Sequence, residues 1–185
     1  MTKTEDFIEM DNRYGAHNYH PIPVVLSGSE GAWVWDVEGK KYMDCLSAYS
    51  AVNQGHRHPK IVKAAKDQMD RLDLTSRAFH NDVMGKFLKK LCEYTGYEAA
   101  LPMNTGAEAV ETGIKLARRW GYMRKGIESD QAEIIVCCEN FHGRTTTIVG
   151  FSSDPIAYSG FGPVTPGFTL IPYDDTDALE EAIND

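Results

Sequence analysis

The sequence lacks an excess of basic residues. Nineteen lysines and arginines are set against 27 aspartates and glutamates, which gives a net charge of −8 over 185 residues. Because nucleic acids and anionic membranes bind clustered positive charge, we expect neither as a main partner. No apolar run approaches the about 20 residues that span a bilayer, and residues 1–6 lack the apolar core of a secretion signal. We therefore expect a cytoplasmic protein.

Cysteines are few and follow no metal-binding or redox pattern. The four of them, Cys45, Cys92, Cys137 and Cys138, show no C-x-x-C spacing. Cys137 and Cys138 are neighbours in an apolar run, where successive side chains of a strand point to opposite faces. We expect buried, reduced thiols of a cytosolic protein and no metal site built from cysteine.

The hydrophobic pattern predicts an α/β fold. The first thirty residues show no period and predict an extended arm, and residues 33–44 predict a hairpin that turns at Glu38-Gly39. Helices are expected after Pro59, from Val83 to Gly96, after Thr105 and after Asp175, and strands over 133–138 and 168–173. Alternation of strands and helices indicates crossover connections and a mainly parallel sheet.

The same pattern predicts two parts of a larger architecture. Residues 1–45 hold the arm and hairpin, and residues 46–185 hold the first part of a sheet-centred domain. A final helix that runs to residue 185 leaves that sheet unfinished, so we expect a truncated chain with an open sheet edge that favours association.

The segment Thr105-Gly106-Ala107 is the strongest candidate for a ligand site. An apolar stretch ends here and a well-marked helix begins. Backbone N–H groups and the positive end of the helix dipole would converge on one point, which suits a phosphate. The alternative is a capping box, in which Thr105 accepts from the Glu108 amide and the Glu108 carboxylate reaches back.

A second candidate follows the predicted strand over 133–138. Phe141 is suited to lie against a planar ring, Gly143 allows close backbone approach, and Arg144 can hold a carboxylate with two hydrogen bonds. Ligands of open α/β sheets gather beyond the carboxyl ends of strands. The alternative is a core phenylalanine beside a solvated arginine.

A third segment, residues 46–59, is rich in small polar residues and contains His56 and His58. A metal pair would need a further ligand, and no carboxylate or third ligand follows at suitable spacing. We therefore expect loop histidines that lead into the next helix, and no metal.

Taken in order, these motifs resemble a known family. YGAHNYHP from Tyr14, SAYSAVNQGH from Ser47, LTSRAF from Leu74, LPMNTGAEA from Leu101, NFHGRT from Asn140 and GFGP from Gly160 are similar to segments of the ornithine aminotransferases. These belong to the class-III aminotransferases, which use pyridoxal 5'-phosphate on the fold-type I scaffold. TGAEA alone is typical of the whole class, whereas the Asn18–His20 arm and the Ser47–Gln54 block favour the ornithine enzymes.

The resemblance implies roles for individual residues. Thr105, Gly106 and Ala107 would bind the cofactor phosphate, and Phe141 would stack on the pyridine ring. Arg144 would pair with the substrate carboxylate, and Tyr19 and Tyr49 would line the substrate side. The implied reaction moves the δ-amino group of ornithine to 2-oxoglutarate, in arginine and proline metabolism, and the implied assembly is a homodimer with active sites at its interface.

The resemblance also implies a Schiff-base lysine and an aspartate on the pyridinium nitrogen, and in this family both lie beyond residue 185. None of the eleven lysines stands in the expected glycine-rich context. The sequence therefore predicts no catalytic residue in this chain and no activity of the chain alone. The alternatives are a non-catalytic remnant that binds phosphate or the cofactor or serves only for association, and a related aminotransferase acting on acetylornithine or 4-aminobutyrate.

Overall fold

The computed structural model describes residues 2–184, which divide between Met84 and Gly85 into two compact units. Met1 and Asp185, the outermost residues of the two predicted domains, lie outside the described residues. The predicted boundary at residue 45 concerns the domains of a longer protein and stays a prediction.

The first unit begins with a helix that the sequence analysis missed. Helix α1 spans Lys3–Tyr14 within the predicted arm. It begins at a capping box, since the Thr2 hydroxyl accepts from the Glu5 amide at 3.2 Å and the Glu5 carboxylate accepts from the Thr2 amide at 2.8 Å. The signal was therefore present as Thr2-x-x-Glu5. The helix buries none of its side chains, which explains why its weak hydrophobic pattern escaped notice.

An antiparallel sheet confirms the predicted hairpin. Strands β1 (Leu26–Glu30), β2 (Trp33–Asp36) and β3 (Lys41–Met43) pair in that order. β2 and β3 form the hairpin, with Trp33 opposite Met43. β1 was not predicted, because its sequence LSGSE has a single apolar side chain, Leu26, and so no apolar face.

The hairpin turn is held by one carboxylate. Asp36 accepts from the amides of Glu38 at 3.0 Å and Lys40 at 2.8 Å, and from the Tyr42 hydroxyl at 2.7 Å. Gly39 has φ +87°, a left-handed conformation that favours glycine. The turn is thus fixed by side-chain acceptors as well as by glycine.

After β3 the chain makes a left-handed turn at Ser47–Ser50, with φ of 50°, 48°, 54° and 69° in its four residues. Helix α2 (Pro59–Met69) follows, with proline in its first turn as predicted. Helix α3 (Met84–Thr95) begins at the boundary between the units, and Gly96 ends it with φ +78°.

The second unit alternates helices and strands. Helix α4 (Gly106–Trp120) continues into a π-helical turn, Gly121–Lys125. The remaining elements are β4 (Ile134–Cys137), α5 (Thr146–Val149), α6 (Pro155–Tyr158), β5 (Phe168–Ile171) and α7 (Thr176–Ala182). The predicted helices and strands of this part are confirmed.

β4 and β5 pair in parallel, with Ile134 opposite Phe168, so the predicted α/β class is confirmed. The core consists of Ile114 from α4, Ile148 from α5 and Phe151. The Phe151 ring lies 4.5 Å from that of Phe168, between ring centroids. The helices are therefore packed onto the sheet through a small aromatic and aliphatic cluster, in which the strand residues are half-buried.

The exposure of Cys45 corrects one expectation. The four cysteines are free thiols, but Cys45 is exposed and the others are only partly buried, so the expectation of buried thiols is wrong for Cys45. Large apolar side chains such as Ile22, Leu74 and Ile156 are more than three-quarters exposed. None of the helices within residues 2–184 has the length and apolar character needed to cross a bilayer.

The Asp36 turn generates a prediction for Tyr42→Phe. The pKa of Asp36 is lowered chiefly because the Tyr42 hydroxyl donates to its carboxylate, with the amides of Lys40 and Glu38 adding to the effect and burial opposing it. A depressed folded-state pKa stabilises the fold above the unfolded-state pKa, and this stabilisation is lost as the pH falls through the folded value. Tyr42→Phe should raise the Asp36 pKa toward its ordinary value, as measured by NMR titration of the carboxyl carbon.

Tyr94→Phe is the matched control, because Tyr94 is 87% exposed on α3. It should leave the Asp36 titration unchanged. An Asp36 titration that is the same in wild type and Tyr42→Phe would contradict the role given to the tyrosine hydroxyl.

Candidate functional site

The amino-terminal end of α4 is the centre of the candidate site. Thr105 is the N-cap, and its hydroxyl accepts from the Glu108 amide at 3.1 Å. Helix geometry leaves the amides of Gly106 and Ala107 without an acceptor inside the helix. A Cβ added at Gly106 would meet no atom within 4 Å. The helix therefore presents two amides and its positive dipole end beside open space.

The capping box expected here is only half formed. The Glu108 carboxylate accepts from the Asn104 amide at 2.7 Å, one residue before the N-cap, and not from Thr105 itself. The carboxylate thus lies at the entrance of the helix and does not occupy the amides of Gly106 and Ala107. Capping and anion binding use different donors at this corner, so one does not exclude the other.

The loop after β4 is held in place by Asn140. Its side-chain amide donates to the carbonyls of Cys137 at 2.8 Å and Phe151 at 3.1 Å, and its oxygen lies 2.9 Å from Nδ1 of His142. The His142 ring also packs edge-on against Phe151, with centroids 5.7 Å apart. These contacts tie the loop to the carboxyl end of the strand and to the core.

Gly143 brings this loop against α4. A Cβ at Gly143 would lie 2.9 Å from Ala107 Cβ and 3.1 Å from Ile148 Cδ1, and its φ is +134°. Both the spacing and the backbone conformation therefore require glycine. Since Gly143 stands between Phe141 and Arg144 in the chain, the contact places both residues close in sequence to the point where the loop touches Ala107.

Thr145 and Glu111 reinforce that junction, and neither was predicted as part of it. The Thr145 hydroxyl donates to the Glu111 carboxylate at 2.5 Å and accepts from the Ile148 amide at 3.3 Å. One side chain thus caps α5 and ties it to α4. Glu111 lies one turn into α4, where an acidic residue also suits the helix dipole. Nothing in the local sequence pattern points to Thr145 as the partner of Glu111.

Exposure distinguishes the two interpretations of Phe141 but not those of Arg144, whose alternative was a solvated side chain. Phe141 is 76% exposed, so it is not a core phenylalanine. Arg144 is exposed as well, on the same loop. The structure therefore brings Thr105, Gly106, Ala107, Phe141 and Arg144 to one end of the sheet, on two segments in direct contact.

Tyr19 and Tyr49 belong to the first unit. Tyr19 follows α1 and borders a cleft of about 420 Å³ that His17, His20 and Ile8 also line. Tyr49 lies in the left-handed turn, with φ 54° and 84% of its surface exposed. Both rings present accessible surface.

His56 and His58 lie in the loop before α2. His56 Nε2 is 2.6 Å from the Asp44 carboxylate. Among residues 2–184 no group of three or more histidine, cysteine, aspartate or glutamate side chains is arranged to hold a metal ion. The sequence analysis missed Asp44 as the partner of His56.

Comparison with known proteins gives a consistent picture. A family model described as Aminotransferase class-III matches residues 14–185. The ornithine aminotransferase of Brevibacillus brevis is 60% identical over 183 residues, which are 99% of this chain and 46% of that protein. The chain thus spans about half the length of the curated relatives that it matches.

Solved structures agree at the level of the backbone. Two structures of the Toxoplasma gondii ornithine aminotransferase superpose with TM-scores of 0.96 and 0.95, at 47% and 49% identity, over 98% and 97% of this chain and 43% and 42% of theirs. The second is described with partial occupancy of PLP at its active site. An acetylornithine aminotransferase from Elizabethkingia anophelis is 52% identical over 98% of this chain and 41% of its own, with a TM-score of 0.80.

The Gly143 contact predicts that Gly143→Ala lowers the free energy of unfolding by about 1–3 kcal/mol, because the methyl group overlaps Ala107 and the backbone is strained. Gly113→Ala is the matched control, since a Cβ at Gly113 in α4 meets nothing within 4 Å. The control should raise the free energy of unfolding by about 0.5–1 kcal/mol. Urea denaturation measures both, and equal effects of the two substitutions would contradict the packing argument.

Proposed function

The chain belongs to the class-III aminotransferase family, and we propose that it is the amino-terminal part of an ornithine aminotransferase. The proposed enzyme transfers the δ-amino group of L-ornithine to 2-oxoglutarate and yields glutamate 5-semialdehyde and glutamate, in arginine and proline metabolism. The observation that carries the proposal is the 60% identity to a protein named ornithine aminotransferase over 99% of this chain.

The residues at the start of α4 fit the phosphate of pyridoxal 5'-phosphate. In the proposal, the Thr105 hydroxyl and the amides of Gly106 and Ala107 donate to it, where the helix dipole favours an anion. The open space beside Gly106 supports this assignment. When bound, the cofactor supplies the electron sink that amino-group transfer requires, while the protein binds and orients it.

Recognition of the substrate is assigned to the exposed side chains near this corner and in the first unit. Phe141 covers one face of the pyridine ring, and Arg144 pairs with the substrate carboxylate through two parallel hydrogen bonds. Tyr19 and Tyr49 line the substrate side. The exposure of Phe141 and Tyr49 supports these roles, since a ligand can reach both rings.

Residues 1–185 are proposed to be inactive by themselves. Their lysines lack the context of the family's cofactor-binding lysine. Lys115, on the helix that begins at Gly106, is exposed about two and a half turns from the start of that helix. In the whole protein we propose that residues 1–45 belong to a small domain and residues 46–185 to the large cofactor-binding domain. The intact protein is proposed to be a cytoplasmic homodimer that binds neither nucleic acid nor membrane.

An acetylornithine aminotransferase is the second candidate, favoured by the 52% identity to the Elizabethkingia anophelis protein. A non-catalytic phosphate-binding or association module is a third, because the chain lacks a recognisable catalytic lysine. The three candidate functions differ in whether the whole protein transfers an amino group and from which substrate, so an aminotransferase assay distinguishes them.

A chimera tests the main proposal. Residues 1–185 are joined to the remaining part of the Brevibacillus brevis ornithine aminotransferase, and semialdehyde formation from ornithine and 2-oxoglutarate is measured. We expect turnover by the chimera and none by residues 1–185 alone. The whole Brevibacillus brevis protein is the positive control. A folded chimera that holds the cofactor and does not use ornithine would contradict the proposal, and turnover by the chain alone would contradict its inactivity.

Substrate choice gives a separate prediction. The chimera should use ornithine in preference to acetylornithine and 4-aminobutyrate, and Tyr19→Phe should reduce that preference by weakening recognition of the distal amine. The measurement is kcat/KM for each substrate. Tyr158→Phe, on α6 of the second unit, is the control that should leave the ratio unchanged. A chimera that prefers acetylornithine would favour the second candidate instead.

A further inference from the structure

The segment between Asp44 and His56 carries Tyr49 on an unfavourable backbone. The four residues of the turn Ser47–Ser50 have positive φ, and none of them is glycine. Residues other than glycine adopt this conformation at an energetic cost, and it persists where surrounding contacts fix it. The side chain of Tyr49 is itself 84% exposed, so packing of its ring does not supply those contacts.

The Asp44 carboxylate holds the beginning of the segment. Its Oδ1 accepts from the amides of Leu46 and Ser47, each at 2.9 Å. These bonds orient the backbone where it enters the left-handed turn. The Asp44 amide in turn donates to the Ala32 carbonyl at 2.9 Å, which ties the carboxylate to the antiparallel sheet.

The same carboxylate holds the end of the segment. Asp44 Oδ2 lies 2.6 Å from His56 Nε2, and the two side chains are only 17% and 22% exposed. The pKa of Asp44 is lowered, first by the hydrogen bond from His56 and then by the amides of Ser47 and Leu46. The carboxylate is therefore ionised at neutral pH, which strengthens all three hydrogen bonds.

The backbone of His56 is fixed independently of its ring. Its amide and carbonyl exchange two hydrogen bonds with Gly31, at 2.8 and 3.0 Å. A Cβ on the preceding Gly55 would lie 3.3 Å from Gly31 Cα. The backbone of His56 is thus held by its pairing with Gly31, while its ring forms the contact with Asp44.

We propose that Asp44 and His56 are positioning residues. Their side-chain contact joins the two ends of the loop formed by residues 45–55 and holds the left-handed turn in it, so that Tyr49 is presented to the substrate. The proposal rests on the substrate role proposed for Tyr49. It adds a pair of residues that do not touch the substrate and that set how well the substrate binds.

Two isosteric substitutions separate the hydrogen bond from the mere presence of a polar group. In His56→Gln the amide nitrogen can occupy the position of Nε2 and still donate to Asp44, whereas in His56→Asn it reaches only the position of Nδ1. In the 185-residue chain, hydrogen exchange of the Leu46 and Ser47 amides should become on the order of tenfold faster in His56→Asn. It should stay near the wild-type rate in His56→Gln and in the control His80→Asn, since His80 is exposed.

If hydrogen exchange of the Leu46 and Ser47 amides were unchanged in His56→Asn, the proposal that the Asp44–His56 contact holds the turn would be overturned. A His56→Asn chain that is unfolded by circular dichroism while His56→Gln is folded would also overturn it, because the pair would then stabilise the unit as a whole.

A double-mutant cycle in the chimera tests the link to Tyr49. His56→Asn should raise the KM for ornithine on the order of tenfold, with kcat and cofactor content much less affected. In a Tyr49→Ala background the same substitution should add little, since residues that act through one another are not additive. Full additivity would overturn the proposal. A folded chimera that holds the cofactor and has no ornithine activity would overturn the proposed function, and the exchange measurements would still decide whether the Asp44–His56 contact holds the turn.

Discussion

The contact between Gly143 and Ala107 is the constraint on which the candidate site depends. A single methyl group at position 143 would come within 2.9 Å of Ala107 Cβ. The loop after β4 can therefore approach the start of α4 this closely only because residue 143 has no side chain. Close packing of this kind tolerates no added carbon without displacement of its neighbours. The hydrogen bond from Thr145 to Glu111 and the core around Ile148 then fix the two segments at that spacing.

The start of α4 illustrates how an acidic protein can offer a candidate site for an anion. The net charge is −8, but the start of α4 presents backbone amides and a dipole end, neither of which depends on the overall charge. The Thr105 hydroxyl accepts from the Glu108 amide and the Glu108 carboxylate from the Asn104 amide, so these two bonds do not use the amides of Gly106 and Ala107. A phosphate-bearing cofactor fits such donors, and membership of the class-III aminotransferases gives that fit its chemical context.

In the first unit, hydrogen bonds to a carboxylate, and not close packing on a glycine, hold the candidate site residue Tyr49 in place. Its strained turn at Ser47–Ser50 is held by the carboxylate of Asp44, which is hydrogen-bonded at both ends of the segment between Asp44 and His56. The backbone of Asp44 is in turn hydrogen-bonded to the antiparallel sheet. A rigid base with an exposed tip is a common arrangement for recognition loops. Asp44 precedes the strained turn by only three residues, whereas its contact with His56 spans twelve positions and closes the loop.

The sequence by itself determined the α/β class, the hairpin, the major helices and the helix start at Thr105-Gly106, because periodicity, caps and turn residues act over a few neighbours. It also held the signal for α1, in Thr2 and Glu5, which a search for apolar faces overlooked. Only the tertiary structure decided that Gly143 packs on Ala107, that Thr145 bonds Glu111 and that His56 closes on Asp44. These contacts join residues 12 to 36 positions apart, and their partners are chosen by packing, which no local pattern records.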